Sequence, residues 1–207
     1  MYTATWPTAV QNLSTEFLRN PCRVAIGSSG ESLSANRDVE QRLIFLADES
    51  SRETRTLAQV QDLSEGSRVL IFCSTKKSCD LLCRSLGRHI SCVAIHGDKS
   101  QGEREKALSH FRDGLSPVLV ATDVAARGLD LKDLNMVVNF EFPSSTADYI
   151  HRIGRTGRAG TKGVAVTFFT AADAKHAPSL VKVLNDAGQK VPPEVAKIAA
   201  IMRGRKQ

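Results

Sequence analysis

From residue 39 onward the chain alternates short, strongly apolar β-rich runs with longer amphipathic stretches, and this alternation leaves few architectures open. The candidate strands are 41–46, 68–73, 92–96, 117–121, 136–140 and 163–169. Most are nearly continuous Val, Ile, Leu and Phe, the pattern of strands covered on both faces rather than on one. Between and after them, 53–63, 76–86, 101–113, 145–153 and 172–187 read as helices. Ser74 or Thr75 can cap the second of these, Gly87 can close it, and Gly114 follows the third. Strand and helix in regular succession predict an α/β fold, a parallel sheet flanked by helices on both faces, and argue against a sandwich.

At 207 residues the chain holds one main core and is too short for two full-sized enzyme domains. With 42% apolar and 24% charged residues it has none of the signature of a disordered chain. The formal charge of +6 and pI near 9.2 favour a polyanionic partner. Five cysteines, an odd number with no C-x-x-C pair, suggest neither a disulfide framework nor a zinc ribbon and fit a reduced, intracellular setting. No basic-then-apolar leader and no apolar run of about 18 residues occurs, so a soluble protein with no membrane partner is expected. Ahead of residue 39 the pattern changes: 7–19 reads as a helix, 23–26 as a strand, and 27–36 as a Ser/Gly-containing linker, together the tail of something else. Arg203, Arg205 and Lys206 form a basic tail.

In such sheets ligands gather at the carboxyl ends of strands. The densest signal there is 151–160, His-Arg-Ile-Gly-Arg-Thr-Gly-Arg-Ala-Gly, in which Arg152, Arg155 and Arg158 fall within seven residues. Guanidinium groups so crowded repel one another unless an anion is near, and their planar forks suit a triphosphate. Gly154 and Gly157 let the backbone leave the helix so that Arg155 and Arg158 face a cleft; the plainer alternative is a solvated basic turn. The second signal, 121–130, follows a strand directly: Thr122 can donate to a backbone phosphate and Asp130 can accept from a ribose hydroxyl, or Asp123 and Asp130 simply cap helices. The third is His96-Gly97-Asp98 with Gln101 and Arg104 on one face of the next helix, where its N-terminus attracts phosphate; a solvated helix face is the alternative. Thr75, with Lys76 and Lys77, is a phosphate contact or a helix cap.

These segments, in this order, resemble the C-terminal half of DEAD-box RNA helicases over essentially the whole chain. Residues 69–75 resemble motif IV, 121–130 motif V and 151–158 motif VI. Thr3-Ala4-Thr5 is similar to the Ser-Ala-Thr of motif III, and Trp6-Pro7 follows it as in the branch related to the yeast Dbp-two and human p-sixty-eight proteins. Phe140-Glu141 stands where many members have Tyr-Asp. His151 in place of Gln, and Ala125-Ala126-Arg127-Gly128, favour this group over DEAH-type or DNA helicases.

The resemblance implies a RecA-like helicase C-terminal domain of the P-loop NTPase superfamily that lacks the P-loop itself. Residues 1–28 would be the tail of the first RecA-like domain, 29–38 the interdomain linker, 39–190 the second domain and 191–207 a C-terminal extension. Arg155 and Arg158 would reach the β/γ-phosphates, with Arg158 as the arginine finger, and His151 would couple to the acidic motif of the first domain. Gly128 and Asp130 would meet the ribose side of ATP, while Thr75, Gly97, Gln101, Arg104 and Thr122 would line the RNA backbone. The cofactors implied are ATP and Mg2+, bound mainly by the first domain, and no metal ligand is assigned here. The partners implied are single-stranded or duplex RNA, gripped by its sugar–phosphate backbone, and the first domain of the same parent chain. The parent would act as a monomer in the nucleus and/or cytoplasm. No Gly-x-x-x-x-Gly-Lys-Ser/Thr loop, Asp-Glu-Ala-Asp or adenine-reading glutamine motif occurs, so these residues alone are expected to be a fragment that does not hydrolyse ATP.

Overall fold

The computed structural model describes residues 8–22, 24, 35–62, 64–129, 131, 134–158 and 160–204. The chain divides into two units, residues 1–34 and 35–207. In the first, helix α1 (Thr8–Phe17) is the described element, extended by a bond from the Leu18 N–H to the Ser14 carbonyl. Thr3 to Pro7, the linker residues 27–34 and, apart from Val24, the expected strand at 23–26 lie outside the described residues.

The second unit is built on strands β1 (Val39–Phe45), β2 (Val69–Cys73), β3 (Cys92–Ile95), β4 (Val118–Thr122), β5 (Met136–Asn139) and β6 (Gly163–Phe169). They form one sheet in the order β1-β6-β5-β2-β4-β3, and every pairing is parallel. Helices α2 (Arg52–Gln61), α3 (Lys76–Leu86), α4 (Gln101–Arg112), α5 (Asp123–Ala126), α6 (Thr146–Ile153), α7 (Ala177–Asp186) and α8 (Pro193–Gly204) surround it. None of the described helices is long and apolar enough to cross a membrane.

The apolar runs are continuous because both faces of the central strands are covered. Val69, Ile71 and Cys73 of β2 pack with Val118 and Val120 of β4 against Cys79, Leu82 and Leu86 of α3. Leu70 and Phe72 pack with Leu119 and Ala121 on the opposite face, against Ala107 and Phe111 of α4. A third cluster joins Val39, Ala165 and Phe169 to Tyr149 and Ile153 of α6 and to α7 and α8.

Element ends differ from the sequence reading where packing or a missing donor decides. β1 starts at Val39, two residues early, because Val39 pairs with Gly163 and is fully buried. The helix expected over 172–187 is a 3-10 turn (Ala171–His176) followed by α7. Pro178 has no N–H to continue the ladder from the preceding turn, and a first-turn position is where a helix tolerates it. The segment 191–207, expected only as an extension, carries α8, whose Val195 and Ala199 are buried in the same cluster as α7.

Candidate functional site

Since all six strands run parallel, the loops after β2, β3, β4 and β5 emerge on one edge of the sheet. What ties them together is Arg152, which the sequence showed only as one of three crowded arginines and to which no role was assigned. Ser145 caps α6, its hydroxyl accepting from the Asp148 N–H at 3.0 Å, and α6 buries Tyr149, Arg152 and Ile153 on one face. Arg152 is only 2% exposed. Its Nε and Nη2 donate to the two Asp123 carboxylate oxygens at 2.7 and 2.6 Å, while Nη1 donates to Asn139 Oδ1 at 3.2 Å and to the Glu141 carbonyl at 2.9 Å. The guanidinium also lies 5.0 Å from the centroid of the Phe72 ring. Every face of Arg152 is therefore engaged inside the fold, and Asp123, which opens α5, serves as its partner.

Beyond α6 the backbone turns at Gly157, where φ is +66°, a conformation that favours glycine. Gly154, expected to share that role, has an ordinary φ of −69°. A Cβ on Gly157 would stand 2.5 Å from Val39 Cγ2, and one on Gly163 2.2 Å from Thr156 Oγ1. Asn36 Nδ2 donates to the Gly157 carbonyl at 2.7 Å, and Thr156 is buried with its hydroxyl on the Leu134 carbonyl. The turn is thus clamped against the ends of β1 and β6.

Pinned in this way, the turn leaves Arg155 half-buried and Arg158 exposed. Arg155 and His151 line a small cavity of about 50 Å³ with Phe72, Asp123, Arg127 and Asp148, at the carboxyl ends of β2 and β4. Burial, then repulsion from Arg158 and Arg127, makes the Arg155 guanidinium easier to deprotonate than usual. Arg127 is 3.5 Å from Asp148, and Arg158 Nε donates to the Gly154 carbonyl at 3.0 Å. Burial pushes the Asp148 carboxyl up, but hydrogen bonds from Ser145 and Ser144 and the charges of Arg127 and Arg152 outweigh it and hold the group below its ordinary value. Both carboxylates of the cavity already have arginine partners, while among the described residues neither Arg155 nor Arg158 forms an ion pair. The donor set therefore fits a polyanion such as a triphosphate, whose oxygens would relieve the repulsion. Gly128, exposed at the end of the turn after α5, is near in sequence; Asp130 lies outside the described residues.

The residues expected on an RNA backbone occupy the ends of β2, β4 and β3, which are neighbours in the sheet. Thr75 caps α3, accepting from the Ser78 N–H at 3.0 Å and donating to Ser78 Oγ at 2.9 Å. Lys76 pairs with Asp98 across the loop that holds Gly97. Ser100 and Glu103 close a capping box on α4; Gln101 Nε2 donates to Glu105 at 2.8 Å, and Arg104 is half-buried. Thr122 stands at the N-cap of α5, yet its hydroxyl makes no capping bond. Glu141 joins the two groups of loops by accepting from the Ser74 N–H at 2.5 Å and from Ser78 Oγ at 3.0 Å. Three features were not foreseen from residue spacing: the Arg152–Asp123 pair, the Arg127–Asp148 pair and the bonding of Glu141. The available signal was that Arg152 shares the apolar face of Tyr149 and Ile153, where a cation needs a partner.

Residues 52–160, more than half of the chain, match the family described as the helicase conserved C-terminal domain. The chain is 53% identical over 204 residues to DEAD-box ATP-dependent RNA helicase 40 of Arabidopsis thaliana, covering 99% of itself and 18% of that protein. It is 52% identical over 199 residues to DEAD-box ATP-dependent RNA helicase 46 of the same plant, covering 96% of itself and 30% of that protein. The chain thus spans well under half the length of these curated relatives. Among solved structures it is similar to S. cerevisiae Dbp5 bound to RNA and ADP BeF3, with a TM-score of 0.77 at 28% identity, over 98% of this chain and 53% of that one. It is also similar to the E. coli DEAD-box protein SrmB bound to regulator of ribonuclease activity A, with a TM-score of 0.60 at 31% identity, over 76% of this chain and 93% of that one. With the parallel sheet, the clamped arginine turn and these matches in place, the chain belongs to the helicase conserved C-terminal domain family, as the RecA-like C-terminal domain of DEAD-box RNA helicases.

Proposed function

We propose that the chain supplies the second half of an ATP-driven RNA-remodelling site, completed by a first RecA-like domain of the same parent. The observation that carries this reading is the pair of guanidinium groups, Arg155 and Arg158, left without carboxylate partners among the described residues while Arg152 beside them is fully engaged. In this reading residues 1–28 are the tail of the first domain, 29–38 the linker, 39–190 the second domain and 191–207 its extension. Arg158, on the exposed side of the turn, acts as the arginine finger, and Arg155 holds the β/γ-phosphates from the cavity wall. Both stabilise negative charge as it develops on the transferring phosphoryl group, and both are fixed before it arrives. His151 couples to the acidic motif of the first domain, and Gly128 and Asp130 meet the ribose.

ATP brings the phosphoryl group, and Mg2+ rests with residues of the first domain. Thr75, Gly97, Gln101, Arg104 and Thr122 grip single-stranded or duplex RNA through phosphate and sugar, with little sequence preference. A solved relative, Dbp5, is described as bound to RNA and ADP BeF3, which supports both ligands for this fold. Trp6-Pro7 after Thr3-Ala4-Thr5 supports a parent related to the branch of yeast Dbp-two and human p-sixty-eight; that parent works as a monomer in the nucleus and/or cytoplasm. The test is Arg158→Ala in the chain joined to a first domain. RNA-stimulated ATPase falls by about 10³-fold or more, with the melting temperature unchanged; normal turnover removes Arg158 as the finger.

A further inference from the structure

We propose that the outer edge of β3 is a docking groove for an extended, acidic segment of a partner protein. Among the described residues β3 ends the sheet and pairs only with β4. In a parallel pair alternate residues turn their N–H and C=O toward the neighbour, so half of the peptide groups of Cys92–Ile95 face outward. Among the described residues no backbone bond from another element reaches them. The opposite edge is treated differently, since the outward Gln41 N–H of β1 donates to the Gln189 side chain at 2.9 Å.

α3 and α4 cover opposite faces of the sheet and both overhang this edge. They wall a groove of about 530 Å³ whose floor is Cys92, Val93 and Ala94. All three floor residues are partly exposed, as a strand is when its edge rather than one face is open. The walls carry Arg84, Lys99 and Lys106 against Asp80 and Glu103. Asp80 is held by Lys99 at 3.0 Å and lies 3.1 Å from His96 Nε2, and Glu103 accepts from the Ser100 N–H at 2.7 Å. Neither Arg84 nor Lys106 forms an ion pair among the described residues, although both line the groove with Asp80 and Glu103.

A partner strand would find unpaired main-chain groups for its backbone and two unmatched cations for its side chains, the combination of strand addition with charge selection. A second copy of the chain would bring the same two cations against themselves, so the complementary occupant is acidic and extended.

The test uses the 207-residue chain and a fluorescein-labelled hexapeptide alternating Glu and Val, with two controls: Lys in place of Glu, and Pro in place of the central Val. The acidic peptide binds and slows hydrogen exchange at the outward-facing N–H groups of β3, and both controls bind about ten-fold more weakly or worse. Arg84→Glu with Lys106→Glu, both on exposed helix positions, reverses the preference toward the Lys peptide without changing the melting temperature. Equal binding of the three peptides, unchanged exchange at β3, or a preference indifferent to the double substitution overturns the proposal. Concentration-dependent protection of β3 without peptide would name a second copy as the occupant, and protection by oligouridylate would name RNA; either result overturns it as well.

Discussion

At the scale of single residues, the three arginines of one short turn have three different fates, decided by what lies within reach of each. Arg152 bridges Asp123, Asn139 and the Glu141 carbonyl, so Arg152→Ala leaves a partly buried carboxylate and a carbonyl without their donor. Breaking such a pair costs about 3–5 kcal/mol when both partners are buried. Asp123 is about one-third exposed and rehydrates, so the lower end, about 3 kcal/mol, is expected in urea denaturation. Arg152→Lys keeps the charge but loses the two-pronged bond and the contact with Phe72, and should fall between the two. Gly157 offers a second test. Alanine there meets both the positive φ and Val39, for about 2–3 kcal/mol together, whereas Gly128→Ala, with φ +73° and open space around it, loses about 1 kcal/mol. A thermal scan that ranks the two equally would show that the clamp on Val39 does not matter. The cluster of basic residues was legible in the chain; the division of labour within it was not, because Asp123 and Asn139 are distant in sequence from Arg152.

At the scale of elements, caps follow local chemistry: the Thr75 cap of α3 was one of the two candidates read from the sequence, whereas the Ser100 cap of α4 was not read there. Thr75 and Ser100 stand where α3 and α4 begin, and Ser100→Ala should lower stability by about 1 kcal/mol while loosening the turn that presents Gln101 and Arg104. α6 gives a pH test. Asp148 is held below its ordinary value of 3.8, so its contribution is present above about pH 4 and is lost as pH falls through the lowered folded-state value. The wild type's urea-midpoint advantage over Asp148→Asn should shrink progressively as pH falls below about 4; an advantage that grows with acidification contradicts the linkage. What local reading could not supply was the break before α7 and the burial of α8. The first depends on how Pro178 enters a helix, and the second on whether a neighbouring surface exists to cover Val195 and Ala199.

At the scale of the whole molecule, the proposed function requires a second surface to hold the nucleotide that Arg155 and Arg158 would meet. The isolated 207 residues should therefore show no ATPase above background and only weak, salt-sensitive RNA binding. Arg104→Ala should reduce the slope of log affinity against log salt by about one phosphate contact. An unchanged slope would move Arg104 off the RNA path. The alternating pattern of apolar runs and amphipathic stretches was sufficient to reach a parallel α/β sheet with its loops at one edge, because burial on both faces demands an unbroken apolar strand. Packing in three dimensions settled which charges are engaged within the fold and which still face outward, and it left β3 open between two helices. Ion pairing and edge exposure depend on groups that the chain brings together from far apart, and nothing in the spacing of neighbours records those meetings.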